Sequence, residues 1–385
     1  MEELVKTVLK YPMPVYTMET SGENEETFRD MAEAFIRVNK FGIRIGNLEL
    51  MLSFMAGTIG GALKSQIRNL YEGSYKQFEL DLQPTLRFAF SNFGLKQTQI
   101  SKVEQFKTNI QKVDRSGIAG GKDVFQKCAR SIELGNEILR QELGLPNTRL
   151  LPSQTPLIPI YKYFYETNLK SLKGLGESEV TMMIGWFLLA TLRGYYSSRT
   201  DSKLDNDLQV VGKGSSPWER LIENMSEQGF KSKIATKELR KGLEMNVLRS
   251  QGRAFLLLAY VLLVKNNAED WNGTRLERGP FSRLARHHIF PRDFLDSNLD
   301  VDDPDQKENM INNLGNITFI HESINSEIGD SAPKDYLADY KDSLGAHFIP
   351  SDRSTWTLDT YLDFLDQRIE LMAKAGQKHF PEIFG

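Results

Sequence analysis

Two almost unbroken apolar runs, Val180–Leu192 and Ala254–Val264, constrain this chain more than any other feature. Both fall well short of the roughly 20 residues that a membrane span needs, so they predict buried core helices and no membrane partner. The opening MEELVKTVLK has no long apolar core and no cleavage-like site. It predicts no signal peptide, and a cytoplasmic location is the expectation. A chain of 385 residues, 40% hydrophobic and 26% charged, has material for large cores and for two or three units.

Up to Trp271 the pattern is mainly helical. YPMPVYTM predicts a strand or extended segment. In ETFRDMAEAFIRVN, Phe28, Met31, Phe35 and Val38 recur at helical spacing, and Gly42 suits the stop. Asn47 can cap a second helix burying Leu48, Met51, Leu52 and Met55. Residues 84–196 are mostly helical, with Pro146–Pro159 as a connector and the aromatics of YKYFYE packing the helical core. The polar, Gly- and Ser-rich stretch 197–216 predicts a loop between helices. Helix returns over 217–267, where Thr236 can cap a segment with Leu239, Leu243 and Val247 on one face. After Trp271, an Arg-rich loop, short apolar runs and Asn/Gly punctuation take over. The expected fold is mainly α with a C-terminal α+β unit. Residues 1–83, 84–270 and 271–385 are the expected divisions.

A net charge of −3 argues against a surface that binds nucleic acid everywhere, so such contact must come from a local basic patch. The single cysteine, Cys128, excludes an internal disulfide framework and a Cys-based zinc site. Residues dense in chemistry occur in one stretch. RHHIFPR places His287 and His288 before Ile289-Phe290-Pro291, and NNLGNITFIHESIN carries Asn316 and Asn325 around a β-prone Ile317–Ile320. The predicted order is His–His, strand, Asn, strand, Asn, helix. Arg275, Arg278, Arg283, Arg286 and Arg292 surround this stretch and favour phosphate contact, with Arg292 the best single candidate, Arg286 beside it and Lys334 weaker. A second basic stretch, Lys231, Lys233, Lys237, Arg240 and Lys241, reads equally as a solvated helix face or a DNA-tracking surface. GTIGGALKS lacks the spacing of a phosphate loop. His321, His347 and His379 read as packed or capping histidines.

RHHIFP followed by N-I-T-F-I-H-E-S-I-N resembles the two halves of an HNH nuclease motif. Such a nuclease needs a water deprotonated near neutral pH, for which neutral imidazole is suited, and a cation on the scissile phosphate. Adjacent side chains diverge at a strand end, so one can hold metal while the other acts as base. The resemblance implies that His287 is a metal ligand, His288 the general base, Asn316 the residue that braces the loop and orients the base, and Asn325 a second metal ligand. A further ligand position falls on Gly329, which has no side chain. Two protein ligands suit Mg²⁺ or Mn²⁺ better than Zn²⁺.

A wider resemblance joins DWNG, HHIFP, NNLGNITFI and Pro333-Lys334 to the C-terminal nuclease domain of GmrSD-like restriction and anti-phage factors. FIRVNKFGIRIGNLEL resembles a segment of their N-terminal ParB-like nucleotide-hydrolase and sensor domain. The DGQQR-type motif that precedes this segment in the family is missing. The resemblance implies a metal-dependent HNH-type (ββα-metal) DNA endonuclease acting in defence. It also implies a truncated sensor that handles no nucleotide by itself, with a separate subunit as a candidate supplier of the missing half. The alternatives are a partner-dependent or inactive binding subunit, and cleavage of RNA.

Overall fold

The computed structural model describes residues 78–92, 94–100, 118–212 and 216–385, together with residues 72 and 76. The extended segment and two helices expected before residue 60, and with them the sensor remnant and the case for a separate subunit, lie outside the described residues. The described residues before residue 230 are mainly helical: α1 Leu82–Ser91, α2 Ile118–Leu143, α3 Leu157–Thr167, α4 Glu177–Leu192, α5 Thr200–Val211 and α6 Trp218–Glu227. Two more, α7 Thr236–Leu243 and α8 Ser250–Lys265, lead into the C-terminal part.

The two apolar runs form α4 and α8. Residues 183–192 of α4 and 254–263 of α8 are buried without a break, as expected of helices with no polar face. Glu177 and Glu179 in the first turn of α4 and Lys265 in the last turn of α8 oppose the helix dipoles. α8 is central: it packs against α2, α4, α7, the C-terminal helix and the sheet. A Cβ at Gly242 would lie 2.1 Å from the Phe255 ring, so glycine permits the close approach of α7 to α8.

The loop expected over 197–216 is instead helix α5 through most of its length. Leu204, Leu208 and Val211 share one buried face at i, i+4 and i+7. Lys203 and Asp207 are buried beside them, and their charges hid the helix in the composition. The Asp207 carboxylate accepts from Tyr196 Oη at 2.6 Å and Asn224 Nδ2 at 2.9 Å, while Lys203 Nζ donates to the Tyr195 carbonyl at 2.6 Å. Pro159, expected in a connector, falls in the first turn of α3, where a missing N–H costs little. Ala235, one residue earlier than expected, caps α7. Glu238 accepts from the Ala235 N–H at 3.2 Å, and Thr236 Oγ1 donates to the Gly385 carbonyl at 3.0 Å.

The C-terminal unit is built on a two-stranded antiparallel sheet, β1 Leu284–His288 and β2 Ile317–His321, with His287 opposite Thr318 and His288 opposite Ile317. Two short helices, α9 Arg292–Asn298 and α10 Pro304–Ile311, fill the connection. α11 Glu322–Ile328 follows β2 directly and packs on both strands; α12 Tyr361–His379 closes the unit. Asn325 therefore lies within a helix, whereas the sequence order had placed the helix after it. The Phe319 ring of β2 meets Tyr260 of α8 edge-on at 5.2 Å, joining the sheet to the helical core. At the far end, Ile234 and Phe384 form a parallel bridge, with the Gly385 N–H donating to the Ile234 carbonyl at 3.1 Å. Among the described residues, no helix is long and apolar enough to cross a membrane.

Candidate functional site at the end of the first strand

Alternation along β1 separates the two histidines. His287 points inward and is 2% exposed, while His288 is half-buried at the strand's last position. Pro291 then caps α9 and ends the extended run.

His287 is held at both ring nitrogens: Nε2 lies 2.9 Å from Tyr336 Oη and Nδ1 lies 2.9 Å from Asn325 Oδ1. Tyr336 donates its only hydroxyl proton to the Ile289 carbonyl at 2.6 Å. The His287 Nε2–H must therefore donate to Tyr336, and neutral His287 turns a lone pair at Nδ1 toward Asn325. Burial keeps the imidazole neutral, pushing its pKa down to about 4 against the opposing contact of Asn325. Two acceptors then face one another, Nδ1 of His287 and Oδ1 of Asn325. Two arrangements resolve this: the Asn325 amide turns so that its nitrogen donates, or a cation sits on both lone pairs.

Trp271 walls this pocket. Its ring meets His287 edge-on at 5.7 Å and stacks on Tyr340 at 4.7 Å. Its backbone has φ +63°, a conformation costing on the order of 1–3 kcal/mol in a bulky residue. The Asp270 carboxylate holds the strained turn by accepting from the Asn272 and Thr274 N–H groups, each at 3.0 Å. Gly329, the position of the further ligand that the resemblance implies, ends α11 at φ +53° and so serves the chain reversal.

His288 Nε2 lies 3.2 Å from Asn312 Oδ1. Burial lowers its pKa; the Asn312 contact opposes this, and the Arg292 and Arg286 guanidinium groups add to the lowering. Asn316, fully buried, binds the loop between the histidines and α9. Its Oδ1 accepts from the Phe290 N–H at 2.8 Å, and its Nδ2 donates to the Phe290 and Ile311 carbonyls at 3.0 and 3.1 Å. None of these hydrogen bonds goes to the His288 ring. The Asn316 turn is anchored in its own right by Arg368 of α12, fully buried, which donates to the carbonyls of Gly315 at 2.8 Å and His347 at 3.1 Å. Burial pushes the Arg368 guanidinium down to about 9.

Of the arginines around the site, three have partners. Arg275 pairs with Glu277 at 3.3 Å, Arg283 with Glu322 at 2.5 Å and Arg292 with Glu308 at 3.1 Å. Arg286 and Arg278 are exposed and have no carboxylate partner among the described residues. Lys334 is exposed on the one-turn helix Pro333–Tyr336, on the same turn that brings Tyr336 to His287. In the second basic stretch, Arg240 pairs with Asp366 and Glu370, and Lys231 with Glu238. His347 is buried between Thr318 Oγ1 and the Glu269 carbonyl, and His321 caps α11 by accepting from the Ser323 N–H.

Tyr336, Asn312, Glu308, Trp271 and Arg368 belong to this constellation without having been singled out as site residues. Asn312 stands inside NNLGN, and Glu308 precedes it by one helical turn, so their i, i+4 spacing was a usable signal. Arg368 lies alone in a helical stretch and reaches the site only through tertiary packing.

Among the described residues, no three His, Cys, Asp or Glu side chains gather so as to hold a metal ion. Residues 234–375 match the family model described as GmrSD restriction endonucleases, C-terminal domain. The match contains α7, α8 and every site residue named above. No curated protein matches the chain.

Proposed function

We propose that residues 234–375, which match the model of the GmrSD restriction endonuclease C-terminal domain, form an HNH-type nuclease that hydrolyses DNA phosphodiester bonds in defence against phage or foreign DNA. The observation that carries the reading is the divergence of two adjacent histidines at the end of β1. One is buried against Asn325, and the other is half-buried on Asn312. In this reading the His288 ring takes a proton from the attacking water, which neutral imidazole does well near pH 7. Asn316 keeps the Phe290 loop in place, so the adjacent His288 backbone has one position. Arg286, Arg292 and Lys334 meet phosphates from the exposed side.

His287 Nδ1 turns a lone pair toward Asn325, and with the Asn325 amide oxygen facing it the two atoms fit a divalent cation. One imidazole nitrogen and one amide oxygen leave room for waters and a phosphate, which favours Mg²⁺ or Mn²⁺ over Zn²⁺. When bound, the cation supplies positive charge to the scissile phosphate and its leaving oxygen.

Plasmid cleavage in Mg²⁺ or Mn²⁺ tests the reading. His288→Ala should cut about 10²–10⁴-fold more slowly with unchanged circular dichroism; wild-type rates from the folded variant would remove His288 as the base. His287→Ala and Asn325→Ala should each raise the Mn²⁺ concentration for half-maximal rate, and identical titration curves in both would reject the metal assignment. Activity on RNA but not on DNA would replace the substrate.

A further inference from the structure

Beside His288, the hydrogen-bond network leaves one consistent way to place the protons. Asn312 is 1% exposed, and its amide has two sides. Nδ2 donates to the Glu308 carboxylate at 2.7 Å and to the Glu308 carbonyl at 3.1 Å. Both partners only accept, so the amide nitrogen must face them and Oδ1 must face His288. The His288 Nε2 atom, 3.2 Å from that oxygen, must then carry a proton. Turning the amide would set its oxygen against a carboxylate and a carbonyl at once.

The amide is also fixed from outside and below. Asn312 is the C-cap of α10, one turn after Glu308, so the two side chains share a face. α10 is itself anchored at its start: Asp303 accepts from the Asp305 and Gln306 N–H groups at 2.9 and 3.3 Å. Glu308 in turn pairs with Arg292 at 3.1 Å. The Asn312 carbonyl accepts from the Val247 N–H at 3.0 Å, tying the cap to the segment between α7 and α8.

We propose that Asn312 is a positioning residue that fixes neutral His288 as the Nε2–H tautomer and leaves Nδ1 as the nitrogen that takes the proton from water. Glu308 holds the Asn312 amide in that orientation, and Arg292 holds Glu308. The catalytic meaning of this chain rests on the nuclease reading; the tautomer itself does not. Arg292 then has a second task besides phosphate contact, as the outer anchor of the chain that orients the base.

Selective ¹⁵N-histidine labelling of the full chain reads the tautomer directly. In the wild type, His288 should show a protonated Nε2 and an unprotonated Nδ1; a protonated Nδ1 overturns the assignment without any variant. In Asn312→Ala the His288 signals should move toward a tautomer mixture, and Glu308→Ala should give a smaller shift in the same direction. Single-turnover cleavage supplies the kinetic arm. Asn312→Ala should lower the rate on the order of 10- to 100-fold at unchanged KM, as lost orienting partners do. In a His288→Ala background the same substitution should cost nothing further. An equal loss in both backgrounds would show that Asn312 acts on the fold and not through His288. A folded wild type that cleaves no nucleic acid with any divalent cation, yet keeps the Nε2–H tautomer, refutes the nuclease reading and leaves the assignment standing.

Discussion

The Tyr336 hydroxyl makes two contacts with one proton, and both serve the His287 side of the site. It donates to the Ile289 carbonyl and accepts from the His287 ring, so it sets the imidazole's tautomer and pins the backbone just past His288. Tyr336→Phe should leave a buried N–H and a buried carbonyl without partners, lowering stability by about 1–3 kcal/mol in urea unfolding. A change within experimental error would mean that both groups find water. The two histidines were legible in the sequence because they stand side by side before an apolar Ile-Phe-Pro turn. Tyr336 was not, because it reaches His287 across 49 positions and a tyrosine near Pro333-Lys334 has nothing local to mark its hydroxyl. Asn316 was legible as a brace, yet its hydrogen bonds go to backbone, and the side chain on the His288 ring is Asn312, four residues earlier.

At the scale of the element, the end of β1 and the start of α9 carry the basic groups toward solvent. Arg286 faces outward from the strand with no carboxylate partner among the described residues, while Arg292 is already engaged by Glu308. A phosphate must compete with that carboxylate for Arg292, so Arg286 should carry the larger share of DNA affinity. Replacing Arg286 and Arg292 with Ala should flatten the slope of log affinity against log salt by about 0.9 for each lost contact. An unchanged slope would return both to a solvated face. β2 was readable because Ile-Thr-Phe-Ile is β-prone and short. α5 was misread for a physical reason: two of its buried positions, Lys203 and Asp207, are charged residues that satisfy each other's surroundings, and the apolar triad Leu204, Leu208 and Val211 was outvoted by polar composition.

Across the whole molecule, that charged knot makes the helical half sensitive to pH. Burial raises the Asp207 carboxyl from 3.8 to about 6, against the opposing contacts of Asn224, Tyr196, Tyr195 and Lys203. Between those two values the folded chain holds a proton that the unfolded chain has released. Stability attributable to Asp207 therefore falls as pH rises through this window and levels off above it. Asp207→Asn should lack this part of the stability–pH profile in denaturant melts; identical profile shapes in the two proteins would show that Asp207 does not titrate there. The two apolar helices at the centre were the most legible part of the fold, since nothing but burial accommodates them. How they are shared was not, because α8 serves both the helical core and the sheet unit. The pairing of Gly385 with Ile234 adds a geometric consequence. The segment that starts at residue 234 comes back to its own starting point, so its entrance and exit stand next to each other. A segment with that geometry can be spliced into a surface loop of an unrelated host, or rewired by joining its ends and opening it elsewhere, with little distortion of either protein. The graft would have to bring a cover for the flank of α8 that α4 now shields.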